Sequence, residues 1–297
     1  MRSGFRIAAG LALLAALTGS AGAQDKLATT PAKQLFGAAK APAPLAARSI
    51  GFYSKGCLAG AVALPVNGPT WQVMRLSRNR NWAHPELLDF LERFAARVPQ
   101  VSNWPGILVG DIAQPRGGPM LTGHASHQLG LDADIWLTPM PTRELTRQER
   151  EEISATMIVR PDRLDVDAKV WTPALVSVIK AAAQDPEVER VLVNAAIKKA
   201  LCRDAGRERA WLQKVRPYWG HDYHMHIRIG CPAGSPECRA QDAVVAGEGC
   251  GKELDWWFSD AVLHPKPAPP PKEPVKPKPP MTLAELPPDC RTVLLAK

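Results

Sequence analysis

Much is missing from this 297-residue chain, and each absence closes a door. After Leu17 no apolar run approaches the roughly 20 residues of a spanning helix, so nothing further along predicts a membrane anchor. No glycine-rich phosphate loop occurs, and the basic residues form no patch interleaved with aromatics. Nucleotides and nucleic acids are therefore not expected as partners. The cysteines make neither a CxxC redox pair nor a four-cysteine zinc knuckle, and no internal repeat is present. Histidine is scarce, at seven residues.

What is present begins with an address. Arg2 and Arg6, an apolar run from Ile7 to Leu17, and Ala21-Gly22-Ala23 have the order of a secretory signal peptide over residues 1–23. Cleavage there would leave 297 − 23 = 274 residues, and a net charge of +8 less two arginines, or +6. Export to an oxidising compartment turns the six cysteines, Cys57, Cys202, Cys231, Cys238, Cys250 and Cys290, into candidates for three disulfides. Cys231 and Cys238 flank "PAGSPE" and would close a small loop worth roughly 2–3 kcal/mol in the chain-entropy model.

No composition break divides the middle of the chain, which predicts one core over 24–263. A proline- and lysine-rich stretch, 264–282, reads as an extended linker, and 283–297 as a tail anchored through Cys290. Apolar residues at 87, 88, 91, 94, 95 and 98 have helical spacing, and segments 172–183 and 195–205 read likewise. Short strands are expected at 106–112, 132–137, 190–194 and 224–230, each bounded by Gly, Pro or Asn. Long helices interspersed with few strands predict the α+β class.

Five of the seven histidines fall in two places, "GHASHQLGLDADIWL" (123–137) and "WGHDYHMHIRIG" (219–230). In a strand, His224 and His226 project together, while Met225 and Ile227 face the other way. The same parity puts Asp132, Asp134 and Trp136 on one face, and Gly130 could let the chain turn back toward His127. Two imidazoles and a carboxylate suit Zn2+, with a position left for water. A lone His-x-His is more often a packed pair; it is the conjunction of both stretches that points to a shared site. Parity does not choose between Asp132 and Asp134. His84, before a proline at a helix start, and His264, at the linker, are not expected to be ligands.

His-x6-Asp followed far downstream by His-x-His resembles the LAS metallopeptidases, a group of lysostaphin-type endopeptidases, D-Ala-D-Ala carboxypeptidases and hedgehog-like proteins. More closely, "GHASHQLGLDADIWL", "WPGILVGDIAQPRGGPM", "KVRPYWGHDYHMHIRIGCP" and the six-cysteine layout are similar to the penicillin-insensitive murein endopeptidases, from about Ser49 to Cys290. The resemblance implies one LAS-type domain, a small antiparallel sheet flanked by helices. It implies zinc held by His127, Asp134 and His226, with His124 at or near the metal, His224 as general base or transition-state stabiliser, and His221 beside it. It also implies the pairing Cys57–Cys290, Cys202–Cys250 and Cys231–Cys238. The substrate implied is the peptide cross-link of peptidoglycan in the periplasm, from D-alanine to meso-diaminopimelate and in some members between two diaminopimelates. A second metal on Asp-x-x-His is not expected, because the matching region reads Asp162 to Asp165 without that histidine.

Three rivals fit parts of the sequence. Ser177-Val-Ile-Lys180 and Ser77-Arg-Asn79 fit motifs of penicillin-binding serine enzymes, but in reversed order and without Lys-Thr-Gly. A D,D-carboxypeptidase or a non-catalytic, zinc-containing wall-binding module could use the same architecture. Of the nine tryptophans most should be core, and Trp219 is the candidate to line a cleft.

Overall fold

The seventeen residues Pro85–Val101 form a long helix because its seven buried positions, Leu87, Leu88, Phe90, Leu91, Phe94, Ala95 and Val98, make one apolar stripe. His84 caps it, its Nδ1 accepting from the Glu86 amide at 3.3 Å, and Pro85 occupies the first turn, where no amide donor is needed. That is the role of this histidine.

The computed structural model describes residues 27–267, 269 and 279–297; the expected leader and the proline-rich residues 270–278 lie outside the described residues. In chain order the strands are β1 (Arg48–Phe52), β2 (Lys55–Ala59), β3 (Val62–Ala63), β4 (Asn67–Gly68), β5 (Trp71–Val73), β6 (Trp82–Ala83), β7 (Ile107–Val109), β8 (Asp132–Pro139), β9 (Val188–Val193), β10 (Val215–Pro217) and β11 (His224–Ile229). The helices are α1 (Ala32–Gly37), α2 (Pro85–Val101), α3 (Arg147–Glu152), α4 (Pro173–Gln184), α5 (Ala195–Asp204), α6 (Lys252–Asp255), α7 (Asp260–Leu263) and α8 (Asp289–Leu295). The chain is α+β, as the sequence predicts.

The main sheet has the order β10-β9-β11-β8-β7-β5-β4. Its centre is antiparallel, and it is larger than expected: β10 joins β9 and β5 joins β7 in parallel. Alternation then divides labour between the two faces. Ala133, Ile135, Leu137, Val191, Val193, Met225 and Ile227 share the main core with α2, α4 and α5. Asp132, Asp134, Trp136, Arg190, Leu192, His224, His226 and Arg228 stand at the alternate positions, on the other face. The register pairs His226 with Asp134 and with Leu192, so the two histidine stretches meet across neighbouring strands.

All three implied disulfides form, with Cα–Cα separations of 5.7, 5.8 and 5.8 Å. Cys57–Cys290 lies in a second, smaller core with Phe36, Ile50, Leu283 and Val293, where segments from both ends of the described chain pack together. Arg116 closes the end of α8 by donating to the Val293 and Ala296 carbonyls, each at 2.9 Å. Among the described residues no helix is long and apolar enough to cross a membrane.

Gly130 makes the turn that the sequence suggested. Its φ is +69°, and an added Cβ would lie 2.4 Å from Leu58 Cδ2 and 2.9 Å from the His84 amide nitrogen. Strain and clash add at this position. We expect Gly130→Ala to cost about 2 kcal/mol or more of stability, read as a lower urea midpoint at unchanged slope. A midpoint equal to the parent's would show that the turn does not need this conformation.

Candidate active site

His127 carries the clearest signal in the cleft. It is wholly buried, neither ring nitrogen has a hydrogen-bond partner, and its backbone sits in the left-handed region at φ 64°. A bare imidazole and a non-glycine residue with positive φ are both unfavourable unless something at the site rewards them. The strain is held in part by the Asp132 carboxylate, which accepts from the His127 amide at 3.1 Å.

Around His127 the side chains converge. His127 Nε2 is 3.4 Å from Asp134 Oδ1, and His124 Nε2 is 3.4 Å from Asp134 Oδ2. His124, His127 and Asp134 offer donor atoms that all lie within 4.8 Å of one another, close enough to share a metal ion. His226 adjoins them edge-on, with its Nδ1 3.1 Å from Asp134 Oδ1 and its ring 4.6 Å from that of His127. The trio thus closes on His124, and His226 stands as a fourth member whose two nitrogens already face carboxylates.

Those carboxylates divide between two tasks. Burial opposes ionisation of Asp134, but the surrounding imidazoles hold its carboxyl well below the usual range. Asp132 is fully buried, accepts from Arg228 Nε at 2.6 Å and lies 2.9 Å from His226 Nε2. It supports the site from behind, while Asp134 is the carboxylate grouped with His124 and His127. Burial alone would favour neutral His226; the Asp132 charge and bond raise its pKa.

His224 lines the cleft beside the trio, its Nε2 3.7 Å from Asp134 Oδ1. Burial lowers its pKa, against the opposing pull of Asp134. The His221 ring packs against it at a tilt, with centroids 4.7 Å apart, and is pushed down to about 4 by burial and then by its histidine neighbours. Its backbone, at φ 59°, follows Gly220 at φ 67°, and its Nδ1 meets the Trp219 carbonyl at 2.8 Å. Asn194 secures this loop: it caps α5 by accepting from the Ala196 amide and also donates to the Gly220 carbonyl.

Asp111 is a site residue that sequence reasoning missed, as are Asn194 and the Asp132–Arg228 pair. Burial would raise the Asp111 carboxyl, but the His124 bond and the charges of Arg80 and Arg78 outweigh it and hold the group at about 2. Asp111 sits two residues beyond β7 with no histidine near it in sequence. Only the β7–β8 pairing brings it to the cleft.

The cleft runs across the sheet. A cavity of about 290 Å³ lies over β7, β8 and β11, lined by Arg75, Arg78 and His224; one of about 480 Å³ lies over β9, β10 and β11, lined by Arg190, Arg216 and His221. His124 borders both, so the candidate centre sits between two open arms. In the second arm Arg190 and Arg228 are directly opposite across β9 and β11, an arrangement that repels unless an anion lies near. Arg228 has Asp132, whereas Arg190 donates to the Asp242 carbonyl and forms no ion pair among the described residues. A hollow of about 780 Å³ lies elsewhere and is bordered by Ser102, Trp104 and Ser177. Lys180 is engaged by Glu208 at 2.7 Å and Ser77 Oγ donates to Glu151 at 2.8 Å, so neither serine motif forms a nucleophile–base pair. Asp162 and Asp165 face arginines, Arg160 and Arg203.

An α+β domain that gathers five histidines and three buried aspartates on one sheet face has the build of a hydrolase centre. The family model for penicillin-insensitive murein endopeptidase matches residues 49–295, and the chain belongs to that family. Proteins named penicillin-insensitive murein endopeptidase are 43% identical in Klebsiella pneumoniae over 95% of this chain and 96% of that protein, and 42% identical in Escherichia coli over 96% of each. One from Haemophilus influenzae is 46% identical over 75% of this chain and 79% of its own length.

The buried Asp132–Arg228 pair yields a stability test. Asp132→Asn leaves the Arg228 guanidinium without its counter-charge and should cost about 3–5 kcal/mol; Asp132→Asn with Arg228→Met should recover part of that. Loss in denaturant midpoint that is no smaller in the double variant would refute a pairwise charge role.

Proposed function

We propose that this protein is a zinc-dependent endopeptidase of the periplasm that cuts peptide cross-links of peptidoglycan, from D-alanine to meso-diaminopimelate and between diaminopimelates. The observation that carries the metal is His127, a buried imidazole with two unpartnered nitrogens against the Asp134 carboxylate. Histidine nitrogens and one carboxylate oxygen fit zinc, and with every cysteine in a disulfide no thiolate competes. His127, Asp134, His124 and His226 would hold it. Bound zinc supplies Lewis acidity, which makes water a nucleophile near neutral pH and polarises a carbonyl.

The chain's own residues supply the rest. His224, kept neutral by burial, takes a proton from the attacking water and returns it to the leaving amine. His221, packed against it and hydrogen-bonded through Nδ1, keeps that ring in place. Asp132 orients His226 through Nε2, and Asp111 does the same for His124. The two arms of the cleft favour endopeptidase over carboxypeptidase action, since a cross-link continues on both sides of the scissile bond. Stem carboxylates meet Arg190 on one side and Arg75 and Arg78 on the other. The pairing of His224 with a full ligand set argues against a wall-binding module without activity. Three disulfides and the leader-like N-terminal sequence support export.

Purified protein should hold about one zinc per chain, and His127→Ala or His226→Ala should lose both metal and activity. Full zinc occupancy in both variants, by elemental analysis, would sink the ligand assignment. His224→Ala should keep zinc while activity falls by roughly a hundredfold or more; loss of metal instead would reverse the roles of His224 and His226. A chelator should abolish cleavage of cross-linked muropeptides, added zinc should restore it, and saturating penicillin should leave it unchanged, because no serine is acylated. Release of free D-alanine would assign the enzyme to the carboxypeptidase branch.

A further inference from the structure

Trp219, Trp256 and Trp257 come together on the surface beside the cleft. Their ring centroids are 4.8 Å apart for Trp219 and Trp257, 5.3 Å for Trp256 and Trp257, and 6.4 Å for Trp219 and Trp256. Trp219 and Trp256 are 51% and 53% exposed, an unusual state for the largest apolar side chain. Trp71, Trp82, Trp171 and Trp211 each donate their indole N–H to the protein. The three surface indoles make no such bond among the described residues. They are open on both counts, apolar face and polar edge.

The fold presents them deliberately. Trp219 follows β10, while Trp256 and Trp257 follow α6 in a short 3-10 turn whose root is pinned by buried Leu254 and the Cys202–Cys250 disulfide. The patch is continuous with the candidate centre, because Trp219 also lines the 480 Å³ arm and its carbonyl meets His221. Its surroundings carry both signs: Lys252, Glu253, Asp255 and Asp260 are exposed, Arg216 pairs with Glu253 at 2.9 Å, and Arg163 lines a hollow with Trp219 and Trp257. A patch of mixed sign gives an anionic lipid surface no net attraction. A neutral sugar polymer fits, since each pyranose ring offers a C–H face to an indole and a rim of hydroxyl and acetamide groups to carboxylates and indole N–H.

We infer that the Trp219–Trp256–Trp257 cluster is a glycan-binding site that seats a peptidoglycan sugar strand while its stem peptide enters the cleft. For the identity of the polymer this rests on the cross-link reading above. Reach agrees: a stem of about four residues spans at most about 14 Å, and Trp219 is two residues from His221.

The test uses full-length protein and glycan strands stripped of their peptides by an amidase, with the freed lactyl carboxylates capped as amides so that the polymer is uncharged. Wild type should co-sediment with these strands, Trp256→Ala should bind about tenfold more weakly, and Trp256→Phe should recover part of the loss, with thermal unfolding unchanged in both. Cleavage of cross-linked stem-peptide dimers freed of their sugars should be the same in Trp256→Ala as in wild type, while the rate on intact sacculi falls. Wild type that ignores stripped glycan, or Trp256→Ala that binds it equally well, overturns the inference. So do Trp256-dependent binding to anionic phosphatidylglycerol vesicles without glycan binding, and a Trp256-dependent dimer of the protein itself. If wild type binds glycan through Trp256 yet cleaves no dimer, the peptidase reading fails and the glycan site stands.

Discussion

A single buried carboxylate, Asp132, is the constraint on which the site is built. It lies at the start of β8, without exposure, and its two oxygens serve the His127 amide, His226 Nε2 and Arg228 Nε. Through the first it helps hold a loop in a strained conformation; through the second it fixes the orientation of an imidazole on the neighbouring strand. Through the third it neutralises a guanidinium that lies 3.8 Å from the Tyr53 ring centroid at the floor of the cleft. One ionised group thus couples the turn before β8 to β11. A neutral side chain could make some of these bonds, but it could not balance Arg228 in so dry a place.

Much of the fold was legible because its signals are local. The apolar stripe of α2, the parity of β8 and β11, and the glycine at 130 each follow from spacing alone, and each appears where it was expected. The ends of the main sheet were not legible. β4, β5 and β10 are two or three residues long, too short to show alternation, and β5 and β10 join partners that lie more distant in sequence, β7 and β9. The hairpin β1–β2 was missed as well, since Arg48–Phe52 and Lys55–Ala59 are glycine-containing and nearly all buried rather than alternating.

The candidate site divides in the same way. Histidines are few, so their clustering stood out, and the structure brings His124, His127, His221, His224 and His226 to one cleft. Aspartates are common, so Asp111 was not singled out although it lies in a stretch that resembles the family, and Asp132 and Asp134 differ only in the fold, where Asp134 lies with His124 and His127 and Asp132 pairs with Arg228. The tryptophans were likewise invisible as a group. Residues 219 and 256 are separated by a disulfide-braced loop, and only folding makes them neighbours.

The Cys57–Cys290 bond joins β2 to α8 across 233 positions of sequence. Its chain-entropy contribution is on the order of 5 kcal/mol, but its topology matters in another way. The polypeptide between those cysteines is a covalent ring, and the proline-rich stretch is an arc of that ring rather than a tether. A protease that severs the arc opens the ring without releasing a fragment: the tail, with Leu283, Leu286 and Val293 in the second core, stays bonded to β2. A nicked molecule of this kind keeps its parts together.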